Sequence, residues 1–465
     1  MPTLEWIGKS KVINHHQDVP FRVLERKYSF DENGQRSEDN SSENMIIRGD
    51  NLEALKALLP RYEGRIKCIY IDPPYNTGNE GWVYNDNVND PKIKRWLGEV
   101  VGKEGEDLTR HDKWLCMIYP RLKLLQKLLA DDGVIFISID EIEHRYLELV
   151  MDEIFGSANR IDTFVWQNNY GGGAKSNYVV HLHEYVLCFA KNISTVGKIE
   201  LPPDDNILKY YKYKDEKFDT RGPYRLQPLA TTSMDDRPNL RYPLYYEGHE
   251  VWPAKQWFWS KERALEAQAN DELVFSEKNG KWTVNYKQYL NGADGTQRKS
   301  KPYSIITGIY TQAGTKAIKE IMGSGKAFDF PKPPELIMYF LQMITSEDDI
   351  ILDSFAGSGT TAHAVLNMNK ADGGHRKFIL VEMMDYADSI TAERVKRVIR
   401  GYGEGKNTVE GTGGNFSFYD LGEPLLHGDV LNENVGAEKI REYVYFTDTK
   451  ASLPESHPDE PYFMG

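Results

Sequence analysis

The sequence has few cysteines and no long apolar run, and each absence excludes a class of protein. Three cysteines, Cys68, Cys116 and Cys188, are spread over 465 residues without a CxxC pair. That number and spacing fit neither a disulfide framework nor a zinc site, so we expect core thiols and no bound metal. The longest apolar runs, such as GVIFISI at 133–139, fall far short of the roughly 18 residues that cross a bilayer. We therefore expect no membrane-spanning segment and no membrane partner.

A secretion signal is also missing. The first residues, MPTLEWIGKS, lack the basic stretch, the apolar stretch and the small-residue cleavage site of a signal peptide, so we expect a cytoplasmic protein. Hydrophobic residues make up 40% and charged residues 27% of the chain, as in folded globular proteins. Its length predicts one to three domains.

Basic residues are scarce relative to acidic ones. With 57 Lys+Arg and 70 Asp+Glu the net charge is −13, which by itself disfavours a nucleic-acid partner because phosphate binding needs cations. Residues 192–330 differ, with 21 basic and 18 acidic residues and four of the nine tryptophans. Basic side chains interleaved with aromatic ones suit a nucleic-acid surface, but they also suit a half-buried β-rich domain. Composition alone favours the second interpretation.

Apolar runs alternate with helix-like spacings in two parts of the chain, on either side of this aromatic centre. Strand candidates lie at 45–50, 66–72, 133–140, 348–353 and 376–382, and helix candidates lie at 52–59, 114–130 and 360–369. Strands that are apolar throughout and alternate with helices predict an α/β fold with a doubly wound, mostly parallel sheet.

The simplest domain organisation is one such sheet whose two halves are separated in sequence by an insertion. We expect five parts, an N-terminal arm at 1–44, a first half of the sheet domain at 45–191, an inserted domain at 192–325, a second half at 326–400 and a C-terminal extension at 401–465.

The strongest chemical signal is IDPPYN at 71–76, directly after an apolar strand. Ligands of open α/β sheets bind outside the carboxyl ends of the strands, where Asp72 should lie. Pro73 and Pro74 have a fixed φ and no N–H, so they form a stiff turn whose carbonyl oxygens can accept hydrogen bonds. Asp72 and Pro73 could then accept the two N–H bonds of an exocyclic amine while Tyr75 stacks on its ring. An ordinary Asp-Pro-Pro turn is the alternative.

The second signal is a glycine-rich turn between a strand and a helix, DSFAGSGTTAHA at 353–364. Gly357 and Gly359 let the backbone approach a ligand closely, and the helix N-terminus at Thr360 and Thr361 offers unpaired N–H groups. A P-loop is disfavoured because no GK[ST] follows.

An acid at the end of the next strand extends this signal. The glycine-rich turn fits G-x-G-x-x-A, and Glu382 follows about twenty residues later, where an acid binds ribose hydroxyls in dinucleotide sites. The combination predicts a dinucleotide or another adenosine cofactor.

Together these residues resemble those of the amino-methyltransferases that use S-adenosylmethionine on DNA. The order, with DPPY before FAGSGTT and a large insertion between them, is similar to that of the β class of DNA N6-adenine methyltransferases. The runs DKWLCMIYPRL at 112–122 and HEYVLCFAK at 183–191 resemble the modification subunits of type III restriction-modification systems. The resemblance implies base flipping in double-stranded DNA and direct methyl transfer to adenine N6. It also implies a target recognition domain at 192–325, a homodimer and a helicase-nuclease restriction subunit as partner.

The resemblance also assigns residues. The catalytic motif corresponds to Asp72, Pro73, Pro74 and Tyr75. The matching cofactor-binding positions are Asp50, Lys332, Asp353, Phe355, Ala356, Gly357, Gly359, Thr360, Thr361 and Glu382. Asp50 lies in RGDNLEAL, whose acid is expected near the cofactor adenine, and Lys332 lies in FPKPPELI.

Candidate DNA contacts are less specific. Tyr170 lies where the family often has a residue that faces the flipped base, although a tyrosine beside a glycine-rich loop more often only packs. Arg221, Arg225, Arg237 and Arg241 lie in polar, proline-broken segments that suit exposed loops, and base readout needs side chains that reach the groove edges. The alternative is that these arginines pair with nearby acids.

Other functions are compatible with parts of the pattern. N4-cytosine methylation would use the same clamp. A nicotinamide-dependent oxidoreductase would explain Gly357, Gly359 and Glu382 but would leave the DPPY turn without a role. A DNA-binding module that has lost catalysis would have to explain why both motifs are intact.

Overall fold

A computed structural model of the chain describes residues 3–76, 110–171, 177–203, 205–428 and 430–449. The chain divides into two compact units. The first consists of Met1–Ile199 with Tyr303–Gly465, and the second consists of Glu200–Pro302.

The strands are numbered in chain order. They are β1 Arg22–Asp31, β2 Gly34–Arg36, β3 Met45–Arg48, β4 Ile66–Ile71, β5 Leu129–Ile139, β6 Arg160–Gln167, β7 His183–Ala190, β8 Tyr224–Pro228, β9 Ala230–Thr231, β10 Leu244–Tyr246, β11 His249–Val251, β12 Gln256–Trp257, β13 Leu273–Lys278, β14 Lys281–Tyr289, β15 Ile305–Ile306, β16 Ile350–Asp353, β17 Lys377–Glu382, β18 Gly401–Tyr402, β19 Val409–Glu410, β20 Asn415–Pro424, β21 Leu426–His427 and β22 Val430–Leu431.

The helices are numbered in the same way. They are α1 Lys9–Val12, α2 His15–Asp18, α3 Asn51–Tyr62, α4 Arg110–Leu128, α5 His144–Phe155, α6 Ile193–Val196, α7 Asp205–Leu208, α8 Phe218–Arg221, α9 Lys261–Ala269, α10 Thr311–Met322, α11 Pro334–Ile344, α12 Thr360–Asp372, α13 Glu393–Arg400 and α14 Ala437–Thr449.

One large sheet organises the first unit. Its strand order is β15-β6-β7-β5-β4-β16-β17-β3-β20-β1-β2. The strands from β5 through β4, β16, β17 and β3 to β20 run parallel, whereas β7 is antiparallel to both of its neighbours and β1 is antiparallel to β20. The mostly parallel α/β sheet that the sequence predicts is therefore confirmed.

The central strands are apolar on both faces because helices cover both sides. On one face Ile69 and Ile135 join a core that includes Leu55 of α3 and Leu122 of α4. On the other face the ring of Phe136 lies 4.8 Å from that of Phe340 in α11. A sheet buried on both faces requires continuous apolar runs, and these runs allowed the strands to be predicted from the sequence.

The second unit has its own small core. Strands β13, β14 and β8 form an antiparallel sheet. Leu229, Trp257, Leu273 and Val284 are buried together, and the indole N–H of Trp257 donates to the carbonyl of Tyr242 at 2.8 Å. Part of the aromatic content of this segment thus belongs to a core.

Both terminal segments contribute to the large sheet. Segment 1–44, expected to be an arm, supplies β1 and β2, and segment 401–465, expected to be an extension, supplies β20. Tyr28 of β1 stacks on Phe418 of β20 with ring centroids 5.0 Å apart. In β1, RVLERKYSFD, charged and apolar residues are mixed, so its sequence pattern is weaker than that of a central strand. Pairing with β20 decides its structure.

The inserted unit is also shorter than the expected 192–325. Residues after Pro302 return to the first unit, where β15 pairs in parallel with β6 and α10 follows. Among the described residues, no helix combines the length and the apolar character needed to cross a membrane. The three cysteines are buried thiols, as expected.

A close backbone contact of Gly314 in α10 generates a stability prediction. A Cβ atom at this position would overlap with the carbonyl oxygen of Pro331. We expect Gly314→Ala to lower the free energy of unfolding by about 1 to 3 kcal/mol, although alanine is the better helix former by about 1 kcal/mol. Urea unfolding measures the change. Gly325→Ala is the control because its nearest neighbour would lie at 3.6 Å, and equal stability of the two variants would contradict the close contact.

Candidate active site

The two sequence motifs meet where the chain reverses its direction across the sheet. From β4 the chain continues to the neighbouring β5, and from β16 it continues to β17 on the opposite side. Open α/β sheets bind ligands at the carboxyl ends of strands at such a switch point. Asp72 directly follows β4, Asp353 ends β16, and both residues line one pocket.

Hydrogen bonds from separate elements hold the DPPY turn. The indole N–H of Trp114 in α4 donates to the carbonyl of Pro74 at 2.6 Å. The fully buried Asn76 adopts a φ of 62° and donates its side-chain amide to Glu143 at 2.5 Å. The same carboxylate lies 2.7 Å from Nδ1 of His111. The carbonyl of Pro74 is thus engaged, and that of Pro73 stays the predicted acceptor for a substrate amine.

Four side chains form a charged group at the head of this turn, which we call the clamp cluster: Asp72, Tyr75, Glu184 and Lys332. The ammonium of Lys332 lies 3.0 Å from Asp72 Oδ2 and 3.3 Å from Glu184 Oε2. It also donates to the hydroxyl of Tyr75 at 2.8 Å, and that hydroxyl donates to Glu184 at 3.0 Å. The site thus places one cation between two carboxylates.

Burial controls the charges in the clamp cluster. It raises the pKa of Asp72, and the ammonium of Lys332 opposes that shift. Burial also lowers the pKa of Lys332, but the carboxylates of Asp72 and Glu184 outweigh it, so the pKa is raised. Lys332 lines the pocket, as its predicted role in cofactor binding requires, but its ammonium points at the catalytic motif.

The glycine-rich turn has the backbone conformation for which glycine was expected. Gly357 and Gly359 adopt φ angles of 51° and 82°, and a Cβ on Gly359 would lie 3.1 Å from the carbonyl oxygen of Thr391. Asp353 accepts bonds from the hydroxyl of Thr361 at 2.5 Å and from the N–H of Phe355 at 3.0 Å. The acid therefore fixes both ends of the turn.

Other predicted cofactor positions lie along the same loop. The pocket is lined by Phe355, Ala356, Gly357, Thr360 and Thr361 together with Asp72, Lys332 and Asp353. The structure thus brings eight predicted catalytic and cofactor positions to one cavity.

Glu382 supports the loop from the end of β17. It accepts bonds from the N–H of Gly357 at 2.8 Å and from the N–H of Met384 at 3.0 Å. Burial raises the pKa of Glu382 to about 7, and burial also raises the pKa of Asp353 to about 7. Two buried acids thus lie beside the glycine-rich turn.

Asp50 is the N-cap residue of α3. Its carboxylate caps the helix by accepting from the N–H of Leu52 at 2.8 Å, and Arg121 approaches it to 3.4 Å. The neighbouring Asn51 donates to the carbonyl of Ser354 at 2.9 Å. Asp50 is therefore adjacent to a contact that ties the helix to the glycine-rich turn.

The candidate DNA contacts differ in how they are engaged within their own units. Tyr170 of the first unit is 80% exposed, and its ring lies edge-on to that of Tyr310 with centroids 5.7 Å apart. In the second unit Arg221 pairs with Glu272 at 2.5 Å and lies over the ring of Tyr289. That partly buried arginine fits the alternative of intradomain pairing.

The other three candidate arginines, Arg225, Arg237 and Arg241, differ from one another in their contacts. Arg225 donates to Gln288 at 2.7 Å, and Arg241 forms an ion pair with Asp236. The side chain of Arg237 is exposed, and within the described ranges it has no hydrogen bond or ion pair. Arg237 is therefore the most available of the four for an external ligand.

Sequence reasoning missed the residues that brace the site. Glu184 and Asn168 were not singled out, yet the Asn168 amide donates to the Glu184 carboxylate at 2.8 Å. The signal for Glu184 was a charged residue at the start of the otherwise mostly apolar strand β7. Arg394 was missed as well, and it is buried with hydrogen bonds at 2.7 Å to the hydroxyls of Ser358 and Thr360. Burial lowers the pKa of Arg394 to about 9.

Comparison with known proteins places this site in a family. Residues 66–393 match the sequence model of the family described as DNA methylase. Type II methyltransferase M.KpnI of Klebsiella pneumoniae is 35% identical over 383 residues, which cover 77% of this chain and 84% of that protein. The Mod subunit of the type III restriction-modification enzyme StyLTI of Salmonella typhimurium is 33% identical over 387 residues.

The extent of each match differs. The alignment with the StyLTI Mod subunit covers 78% of this chain, and the chain spans 58% of that subunit's length. The solved structure of the cytosine-N4-specific PvuII DNA methyltransferase is 16% identical, with a TM-score of 0.38, and the match covers 76% of this chain and 86% of that one. The family match at 66–393 contains both the DPPY turn and the glycine-rich turn. The chain therefore belongs to the DNA methylase family.

Proposed function

We propose that this protein is a site-specific DNA methyltransferase that transfers the methyl group of S-adenosylmethionine to N6 of adenine. One observation carries the proposal. The DPPY turn and the glycine-rich turn, which are about 280 residues apart in the sequence, line the same pocket at the switch point of the sheet. A pocket with an amine clamp at one end and an adenosine site at the other suits methyl transfer to a base.

The cofactor fits the groups beside the glycine-rich turn. Gly357 leaves room for close backbone approach, and the N-terminus of α12 offers N–H groups to a carboxylate. Glu382 and Asp353 are buried acids of the kind that bind ribose and amino groups. S-adenosylmethionine supplies the electrophilic methyl group, and the residues of this chain hold and orient it.

The clamp acts on the nucleophile. Base flipping brings the exocyclic amine out of the duplex, so that Asp72 and Pro73 can accept its N–H bonds while Tyr75 stacks on the ring. These hydrogen bonds strengthen as positive charge develops on nitrogen, and they therefore favour the transition state over the ground state. No covalent intermediate is needed.

The alternatives are weaker. N4-cytosine methylation would use the same turn, and aspartate at the head of the clamp favours adenine through the family resemblance. A nicotinamide oxidoreductase would leave the braced DPPY turn and the clamp cluster idle.

The relatives support a proposal about the partners. We propose that the protein acts on double-stranded DNA as the modification component of a type III restriction-modification system, as a homodimer that associates with a restriction subunit. We propose that the second compact unit, Glu200–Pro302, recognises the target sequence, in place of the wider segment 192–325.

The deciding experiment is methylation of duplex DNA by the purified chain with S-adenosylmethionine labelled in its methyl group. Nucleoside mass spectrometry should find N6-methyladenine within one sequence motif. N4-methylcytosine would support the alternative base, and the absence of any methylated nucleoside would overturn the proposal.

Replacing the head of the clamp should stop catalysis. We expect Asp72→Ala to lower the methylation rate by on the order of a hundredfold or more, because it removes an acceptor that is used most strongly in the transition state. Binding of S-adenosylmethionine, measured by calorimetry, should persist. Asp348→Ala is the matched control, since this aspartate is exposed next to β16. Wild-type turnover of Asp72→Ala would disprove the assignment.

Arg237 is the arginine that we expect to read a base. Arg237→Ala should relax the methylated motif at one position, at a cost of about 1 to 3 kcal/mol of discrimination. Arg221→Ala should instead destabilise the second unit without a new motif, because Arg221 is paired with Glu272. Sequencing of methylated bases in cellular DNA compares the variants. A uniform loss of activity with an unchanged motif would place Arg237 on a phosphate.

A further inference from the structure

The clamp cluster contains two groups to which the proposed catalytic step gives no role. They are the carboxylate of Glu184 and the ammonium of Lys332. Each oxygen of Glu184 has partners. Oε1 accepts from Asn168 at 2.8 Å, and Oε2 accepts from Tyr75 and lies 3.3 Å from Lys332. Glu184 thus contacts Tyr75 and Lys332, and both of these side chains also interact with Asp72.

We propose that Lys332 and Glu184 are positioning residues for methyl transfer, with Lys332 holding Asp72 as an ionised acceptor and Glu184 holding Lys332 and the Tyr75 hydroxyl in place. The inference rests on the proposed function. It makes a lysine of the cofactor segment part of the machinery that prepares the nucleophile.

The charge balance supports this role. Lys332 has only 10% of its side chain exposed, and it lies between two carboxylates that are similarly enclosed. Without the ammonium, two buried carboxylates would repel each other, and one would bind a proton. A protonated Asp72 would offer a donor where the substrate amine needs an acceptor. The ion pair therefore maintains the chemical form that the clamp requires.

Several elements packed around Asp72 contribute to its titration. Within the part of the chain that the structure describes, the titratable and charged groups that face it are Tyr70 of β4, Tyr75 of the turn, Glu184 of β7, Asp353 of β16 and Lys332. Glu184 and Asp353 are acidic, and Lys332 is the single cation in this set. Removal of Lys332 and removal of Glu184 should therefore shift the pH dependence in opposite directions.

The test is the single-turnover rate of methyl transfer as a function of pH, at saturating DNA and S-adenosylmethionine. Activity should be lost as pH falls through the pKa of Asp72. In Lys332→Met this acid limb should move to higher pH by about one to three units. In Glu184→Gln it should move to lower pH, because a negative charge is removed while the lysine stays. In the double variant Lys332→Met/Glu184→Gln the acid limb should lie between its position in Lys332→Met and its position in the wild type.

A purely structural role would give a different result. It would lower the rate by the same factor at every pH and leave the acid limb in place, and this outcome in both single variants would overturn the inference. Glu184→Gln keeps the size of the side chain and tests the proposal even if Lys332→Met does not fold. Lys316→Met is the matched control, since that lysine is 75% exposed on α10.

The two proposals fail in different ways. A wild-type protein that binds S-adenosylmethionine but methylates no DNA would defeat the proposed function. A wild-type protein that methylates DNA, with unshifted profiles in Lys332→Met and Glu184→Gln, would defeat only the positioning role.

Discussion

The parallel pairing of β4 with β16 is the constraint on which the site depends. Because the two strands are neighbours and point the same way, the residues after Ile71 and at Asp353 emerge at the same edge of the sheet. The chain leaves β4 and β16 in opposite directions across the sheet, and open α/β sheets bind ligands at such a switch point. A turn that can hold an amine and a turn that can hold a cofactor thus share one pocket.

Burial on both faces of the sheet creates an electrostatic conflict at that edge. Carboxylates placed at the ends of apolar strands lose hydration, which raises the pKa of Asp72, Asp353 and Glu382. Two kinds of partner stabilise these carboxylates. Asp353 and Glu382 accept N–H and hydroxyl bonds from the loop, whereas Asp72 faces the ammonium of Lys332. Cofactor-side acids and the clamp acid therefore differ in their partners.

Much of the local support comes from residues outside both motifs. Trp114 holds the carbonyl of Pro74, Glu143 holds the buried Asn76, and Arg394 bonds the hydroxyls of Ser358 and Thr360. These contacts join elements that are far apart in the sequence. They explain how short turns with little secondary structure keep a defined geometry at the sheet edge.

The sequence by itself determined the parallel α/β class and the two turns, because buried parallel strands require apolar runs and the turns require Gly, Pro and Asp at given positions. It did not determine that β1 and β20 extend the sheet, because their mixed polarity gives a weak local signal and their structure depends on pairing, β1 with β20 and β20 with β3. Nor did it reveal that Lys332 reaches Asp72, since that ion pair joins residues 260 positions apart. Periodicity and turn chemistry are local properties of a chain, whereas a buried ion pair exists only once tertiary packing has brought its partners together.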